Sequence, residues 1–197
     1  MAWLKPIILK GEHATLEPLS YNHYDELVDA AKDGELWNLW YTPVPKPSEM
    51  EKEISRRLER QEEGKMLPFV VINNQTGKVV GMTTYCHFDS SNKRLGIGWT
   101  WYAKSQQRTA INTECKQLLL TYAFEELKCI AVVFYVNYLN QQSRKAVERL
   151  GAKLDGIIRN HSIMQDGVIW DMCLYSILPN EWLGVKTNLK WLLDKVR

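Results

Sequence analysis

The stretch from Leu95 to Leu127 constrains this chain more than any other, because a β-rich segment, a short polar loop and a long amphipathic helix follow without a break. Leu95-Gly96-Ile97-Gly98-Trp99-Thr100-Trp101-Tyr102 reads as a strand, and Ala103 to Ala110 as the loop. The helix opens near Ile111-Asn112-Thr113-Glu114 and carries Ile111, Cys115, Leu118, Leu119, Tyr122, Ala123 and Leu127 at helical spacing. A helix that begins straight after a strand leaves its first N–H groups unpaired and aimed beyond the strand end. With the helix dipole, those donors favour a bound anion, usually a phosphate. The order of elements therefore points to a pyrophosphate-bearing ligand.

A chain of 197 residues supports one domain with a full core and is too short for two of ordinary size. The formal charge is +2 with no long basic run, so no nucleic-acid partner is expected. Cys86, Cys115, Cys129 and Cys173 are widely separated inside apolar segments and form no CxxC pair. His13, His23, His87 and His161 show no metal-ligand spacing, so no metal is expected. Cysteines of this kind read as reduced, small apolar residues of a cytoplasmic protein. The N-terminus has no h-region and no apolar run approaches the ~20 residues that cross a bilayer, so no membrane partner is expected either.

Along the chain, Ile7 to Leu19 reads as a first strand with an interruption near Gly11, and Tyr21 to Ala31 as a helical face. Leu36 to Pro47 is aromatic and proline-punctuated, hence irregular or a short helix and loop. Ser48-Glu49-Met50-Glu51 has a capping-box pattern ahead of the Met50, Ile54, Leu58 stripe. Leu67 to Asn73 and Lys78 to Phe88 read as a hairpin around Asn74-Gln75-Thr76-Gly77, followed by the strand Arg94 to Tyr102. After the long helix come a strand (Cys129 to Tyr138), a helix stopped by Gly151, and two strands joined at Gln165-Asp166-Gly167. Trp182, Val185, Leu189, Leu192, Leu193 and Val196 mark a C-terminal amphipathic helix whose apolar edge leaves room for a homodimer.

This order resembles the GNAT N-acetyltransferase fold, and within it the RimJ/RimL-like branch, over about Ile7 to Leu178. The resemblance implies an α/β protein with a mixed, mostly antiparallel twisted sheet and helices on both faces. It implies one domain over 1–197, with a core of 7–178 and a C-terminal helical extension of 179–197. The implied cofactor is acetyl-CoA, and the implied acceptor a small-molecule amine or a protein N-terminus.

The family's pyrophosphate signature, Q/R-x-x-G-x-G/A, aligns with Gln107-Arg108-Thr109-Ala110-Ile111-Asn112, with Thr113 following. Ala110 and Asn112 stand where glycine, or glycine or alanine, is usual. Alanine serves if its φ is negative, and Asn112 offers either an N–H to phosphate or a helix cap. Asn140-Gln141-Gln142-Ser143, closed by Gly151, is similar to the family's N-x-x-S element, which implies Asn140 and Ser143 beside the pantetheine arm. Many relatives carry a tyrosine four residues after this serine to protonate the leaving thiolate. Val147 stands there, so Ser143 becomes the candidate acid.

In the family the strand that matches Gly96 to Tyr102, with Trp99, Thr100 and Trp101, carries a bulge that splays it from the next strand, so the resemblance implies freed N–H groups for the thioester carbonyl here. Gly96 and Gly98 suit such a distortion, and equally relieve packing under Trp99 and Trp101. Trp37, Trp40 and Tyr41 resemble an aromatic loop over the acceptor end, although such clusters more often pack in a core. No single residue is forced as the base: His161, on a strand edge of the acceptor half, is one candidate, His87 at the end of the Lys78 to Phe88 strand is a second, and Asp89 is a carboxylate that could act through water. Arg159 and Asp171 read as a structural ion pair. The rival reading is a CoA-binding regulatory or structural module with little turnover; a different acyl donor is also open.

Overall fold

The computed structural model describes residues 3–41, 44–164 and 167–195. Its elements run β1 (Leu9–Lys10), β2 (Ala14–Pro18), α1 (Tyr24–Lys32), α2 (Met50–Glu62), β3 (Met66–Asn73), β4 (Lys78–Asp89) and β5 (Arg94–Tyr102). Then come α3 (Ile111–Thr121), extended by a π turn (Tyr122–Glu126), β6 (Ala131–Asn137), α4 (Gln141–Leu150), β7 (Lys153–Ile163), β8 (Ile169–Ile177) and α5 (Pro179–Asp194). Among the described residues the strands form one eight-stranded sheet, ordered β1-β2-β3-β4-β5-β6-β8-β7. Every neighbour is antiparallel except β5 and β6.

Strand side chains alternate between two cores, as a period of two requires. Phe69 and Val71 of β3 face α3, α4 and α5, joined by Leu95, Cys115, Leu119, Val147 and Leu189. Val70 faces the other way, where Leu27 and Ala31 of α1 and Met50 and Ile54 of α2 meet Met82 and Trp101. Helix α2 is charged over most of its surface. Met50 and Ile54, fully buried and worth about 2 kcal/mol each, dock it on the sheet.

Local chemistry sets most boundaries. Asn140 caps α4 by accepting from Ser143 N at 2.9 Å, and Gly151 ends it with φ of 106°, a left-handed conformation that favours glycine. The interruption near Gly11 separates β1 from β2, which pair as a hairpin. The capping box at Ser48 does not form: Pro47 starts a 3-10 turn, Pro47–Glu49, and α2 follows without a side-chain cap. Proline's fixed φ starts that turn without help from a serine cap. Pro43, the Gln165-Asp166 turn and Val196 lie outside the described residues. Among the described residues no helix is long and apolar enough to cross a membrane.

The parallel pair is short. Arg94, Leu95 and Gly96 pair with Ala131, Val132 and Val133, and beyond them the strands part. The opening lies in the middle of the sheet, flanked by the N-terminal ends of α3 and α4.

Candidate active site

Along the parting strand, Met82 of β4 pairs with Trp101 and Thr84 with Gly98, so Thr83 alone opposes both Trp99 and Thr100. This is a β-bulge, and Trp99 accommodates it with φ of 51°. The bulge is where the resemblance implied one, but the glycines do not carry it. Neither Gly96 nor Gly98 has a positive φ. They serve packing instead, since an added Cβ would stand 3.3 Å from Cys86 O and 3.4 Å from Cys86 Sγ, respectively.

Two buried cations hold the bulge from opposite faces. From α2, Arg57 is 0% exposed and donates to Glu53 Oε1 (2.7 Å), Thr84 Oγ1 (2.8 Å) and the Trp99 carbonyl (3.2 Å). Arg56 grips both oxygens of the same glutamate at 2.8 Å and lies 4.7 Å over the Trp99 ring. Burial pushes the Glu53 carboxyl up, but the two guanidinium groups outweigh it and hold the carboxyl below its usual range. From α3, Lys116 is 5% exposed and donates to Thr100 Oγ1 (2.8 Å) and Thr83 Oγ1 (3.2 Å). Burial brings its pKa down to about 8.

At the mouth of the opening, the loop before α3 turns through Arg108, with φ of 63°. Ala110 has φ of −67° and ψ of −25°, so the missing glycine costs the turn nothing. Asn112 does not cap the helix: no side chain caps it from the N-cap position. Thr109 Oγ1 instead accepts from Ile111 N (3.3 Å) while donating to Gln106 O (2.8 Å). That leaves the amides of Asn112 and Thr113 without a hydrogen-bond partner among the described residues, a donor pair suited to a pyrophosphate.

Gln142 donates to Gln107 at 3.3 Å, and Arg149 to Thr113 Oγ1 at 3.2 Å, so α4 is tied beside the start of α3. Glu114 anchors the same turn from behind by accepting the amides of Glu12 (2.9 Å), His13 (2.7 Å) and Ala14 (2.6 Å). The side chains of Ile111 and Trp101 are packed in the two cores, so only their backbone can reach a ligand. Ser143 lies half-buried in the first turn of α4, and Val147 below it is buried.

On the α2 face, a cleft of 280 Å³ is lined by Arg60, Lys65, Cys86, His87, Phe88 and Trp99. His87 ends β4, with φ of 51°, and its ring lies 4.7 Å from that of Tyr135 on β6. His161 of β7 lies on Tyr135 at 6.2 Å, with Nδ1 within 2.5 Å of Ser162 Oγ. Burial, then the charges of His161 and Arg60, keep the His87 pKa below its ordinary value of 6.5. The two histidines singled out in the sequence are thus brought together around one tyrosine. Trp37, Trp40 and Tyr41 belong to neither core; Trp40 is 55% exposed and edge-on to Tyr41 at 5.8 Å. Arg159 and Asp171 form the expected ion pair. Asp89 is occupied by Asn92, whose backbone and side-chain N–H groups both bond it.

Sequence reasoning missed Arg57, Lys116 and Tyr135. Arg57 has a signal, since it lies three residues beyond Ile54 on the apolar side of α2. Lys116 sits next to Cys115 in a helix whose neighbours are apolar, but nothing in that spacing marks a lysine as buried. Among the described residues no group of three His, Cys, Asp or Glu could hold a metal ion.

Residues 13–153 match the family model for the acetyltransferase (GNAT) domain. The chain belongs to the GNAT acetyltransferases. The GNAT donor is acetyl-CoA, which suits the uncapped α3 amides and the parted strands. The chain is 34% identical over 110 residues to the Bacillus subtilis protein YdaF, which bears the name of a ribosomal N-acetyltransferase; the match spans 56% of this chain and 59% of that one. It is 24% identical over 177 residues to the uncharacterized N-acetyltransferase p20 of Bacillus licheniformis, spanning 89% of this chain and 98% of p20. The crystal structure of a GCN5-related N-acetyltransferase from Brucella melitensis superposes with a TM-score of 0.87 at 27% identity, covering 96% of this chain and 86% of that one.

Proposed function

We propose that this GNAT acetyltransferase is a cytoplasmic enzyme of the RimJ/RimL-like kind that acetylates a primary amine, either a protein N-terminal α-amine or a small-molecule amine. The observation that carries the reading is the opening between β5 and β6, with unpaired α3 amides at one end and the clamped Trp99 bulge inside. Acetyl-CoA supplies a thioester carbon open to attack. Gln107 to Thr113 hold its pyrophosphate, and Asn140 and Ser143 line its arm. Backbone N–H groups of Trp99, Thr100 and Trp101 receive the carbonyl.

The amine must be neutral to attack. An α-amine, with a pKa near ~8, is easier to deprotonate than a lysine near ~10.4. The proton passes to the His87–His161 pair, of which His87, neutral at pH 7, lines the cleft together with Trp99. As the new C–N bond forms and the C–S bond breaks, Ser143 gives its proton to the departing thiolate, a role the buried Val147 cannot fill. Trp37, Trp40 and Tyr41 wall the acceptor end. A second copy of the chain would cover the outer edge of α5, where Leu183 and Trp191 are exposed.

The test is calorimetric titration with acetyl-CoA and with 3′,5′-ADP, followed by thiol release over a panel of amines and N-terminal peptides. Acetyl-CoA binding with release on an amine supports the enzyme; binding without release on any acceptor favours a CoA-binding module. Asn112→Asp should weaken both ligands, and unchanged affinity removes the pyrophosphate assignment. Ser143→Ala should lower kcat more than acetyl-CoA affinity; the reverse pattern makes Ser143 a binding residue.

A further inference from the structure

Lys116 is a buried cation with no carboxylate among its hydrogen-bond partners. Its nitrogen gives two protons to Thr100 and Thr83 and has no acceptor for the third among the described residues. Satisfying the threonines does not require it, because their hydroxyls already bond each other at 2.8 Å. Burying an ammonium against hydroxyls alone is unfavourable, and an apolar side chain of that length would fill the site at lower cost. Packing therefore gives no reason for a charge there, while its position does. Thr83 stands opposite the bulge and bonds Thr100, one of the two bulged residues, and Thr100 also contacts the Gly98 carbonyl at 3.3 Å. Arg57 already fixes the bulge backbone from the opposite face through the Trp99 carbonyl and Thr84.

We propose that Lys116 is an electrostatic positioning residue of the donor site: through Thr100 and Thr83 it orients the β5 bulge and adds positive charge behind the amides that receive the thioester carbonyl. The proposal rests on the acetyl-transfer reading above. Lys116 neither gives nor takes a proton; its field favours the negative charge that builds on the carbonyl oxygen as the amine attacks. The titratable groups around it are the Cys115 thiol on its own helix and the Cys86 thiol on β4, both pushed up to about 12 by burial, with the Arg57 charge beyond Cys86. Neither thiol ionises near neutrality, so any change of charge at this spot between pH 7 and 9 is that of Lys116.

The experiment compares the full-length wild type with Lys116→Met and Lys116→Arg. Calorimetry first establishes that each binds acetyl-CoA. Infrared difference spectra of bound acetyl-CoA carrying carbon-13 in its carbonyl then report polarisation independently of turnover. The expected result is a carbonyl band shifted down in the wild type, returned towards its free position in Lys116→Met and partly restored in Lys116→Arg. The companion kinetics should show kcat about tenfold to a hundredfold lower in Lys116→Met, with KM for acetyl-CoA within about twofold. The wild-type decline in kcat as pH passes about 8 should vanish in that variant. An unmoved carbonyl band and an intact kcat in a folded Lys116→Met that binds acetyl-CoA overturn the proposal. A wild type that fails to bind acetyl-CoA overturns the acetyl-transfer reading instead.

Discussion

Replacing Lys116 with methionine should make the protein more stable at neutral pH. A lysine that titrates at 10.5 in the unfolded chain and at about 8 when buried disfavours the folded state by about 3 kcal/mol at pH 7. Methionine keeps the length of the stem and removes the charge, and Thr83 and Thr100 retain each other at 2.8 Å. Imperfect filling and the lost hydroxyl bonds return about 1 kcal/mol. The net gain is about 2 kcal/mol, a rise in Tm of roughly 4–8 °C for a chain of this size. The folded-state pKa lies below the unfolded one, so between about 8 and 10.5 the unfolded chain holds the extra proton. Raising the pH through that window relieves the wild type and leaves the variant unchanged. Urea unfolding followed by tryptophan fluorescence should give the variant its full lead at pH 7. The lead should shrink by about 2 kcal/mol at about pH 9.5. A variant less stable than wild type at pH 7, or a lead that does not change with pH, would refute the assignment of Lys116 as a penalised buried cation.

Glu114→Ala should lower stability by about 2–4 kcal/mol, because three backbone N–H groups lose their acceptor and that of Ala14 is buried. Thermal melting measures the loss, and a variant that melts with the wild type would show that the β1–β2 turn does not depend on this carboxylate. For His87, protonation removes the lone pair a base needs, so kcat/KM should fall as the pH drops below about 6.5, the limb lying lower than for a free imidazole. His87→Gln should remove that limb and lower kcat at least about tenfold; a limb that survives the substitution transfers the role to His161.

The parts of the site that were legible in the sequence are those made by neighbours in the chain. The start of α3 at Ile111 follows from its apolar spacing, and the α4 cap from Asn140 and Gly151. The family resemblance pointed to the right strand, and of the two roles open to its glycines the structure shows the packing one. The bulge belongs to Trp99, whose left-handed φ is held by an arginine 42 residues earlier in the chain. Ala110, a departure from the family signature, is harmless because Arg108 supplies the left-handed turn. Which residue in a loop takes that conformation depends on what anchors the loop, and the anchors here are Gln106 and α4.

By itself the sequence determined the order of strands and helices and the strand–loop–helix junction that suits an anion. These follow from periodicity, capping and turn chemistry, which act over a few residues. Only the tertiary structure decided where β5 and β6 part, that His87 and His161 meet at Tyr135, and that Arg57 and Lys116 lie buried on either side of one bulge. The physical reason is that burial and charge pairing are set by partners far away in the chain. Thr84 lies 27 residues from Arg57, and Thr83 lies 33 from Lys116. A charged side chain looks the same in a sequence whether it will face water or two threonines in a core.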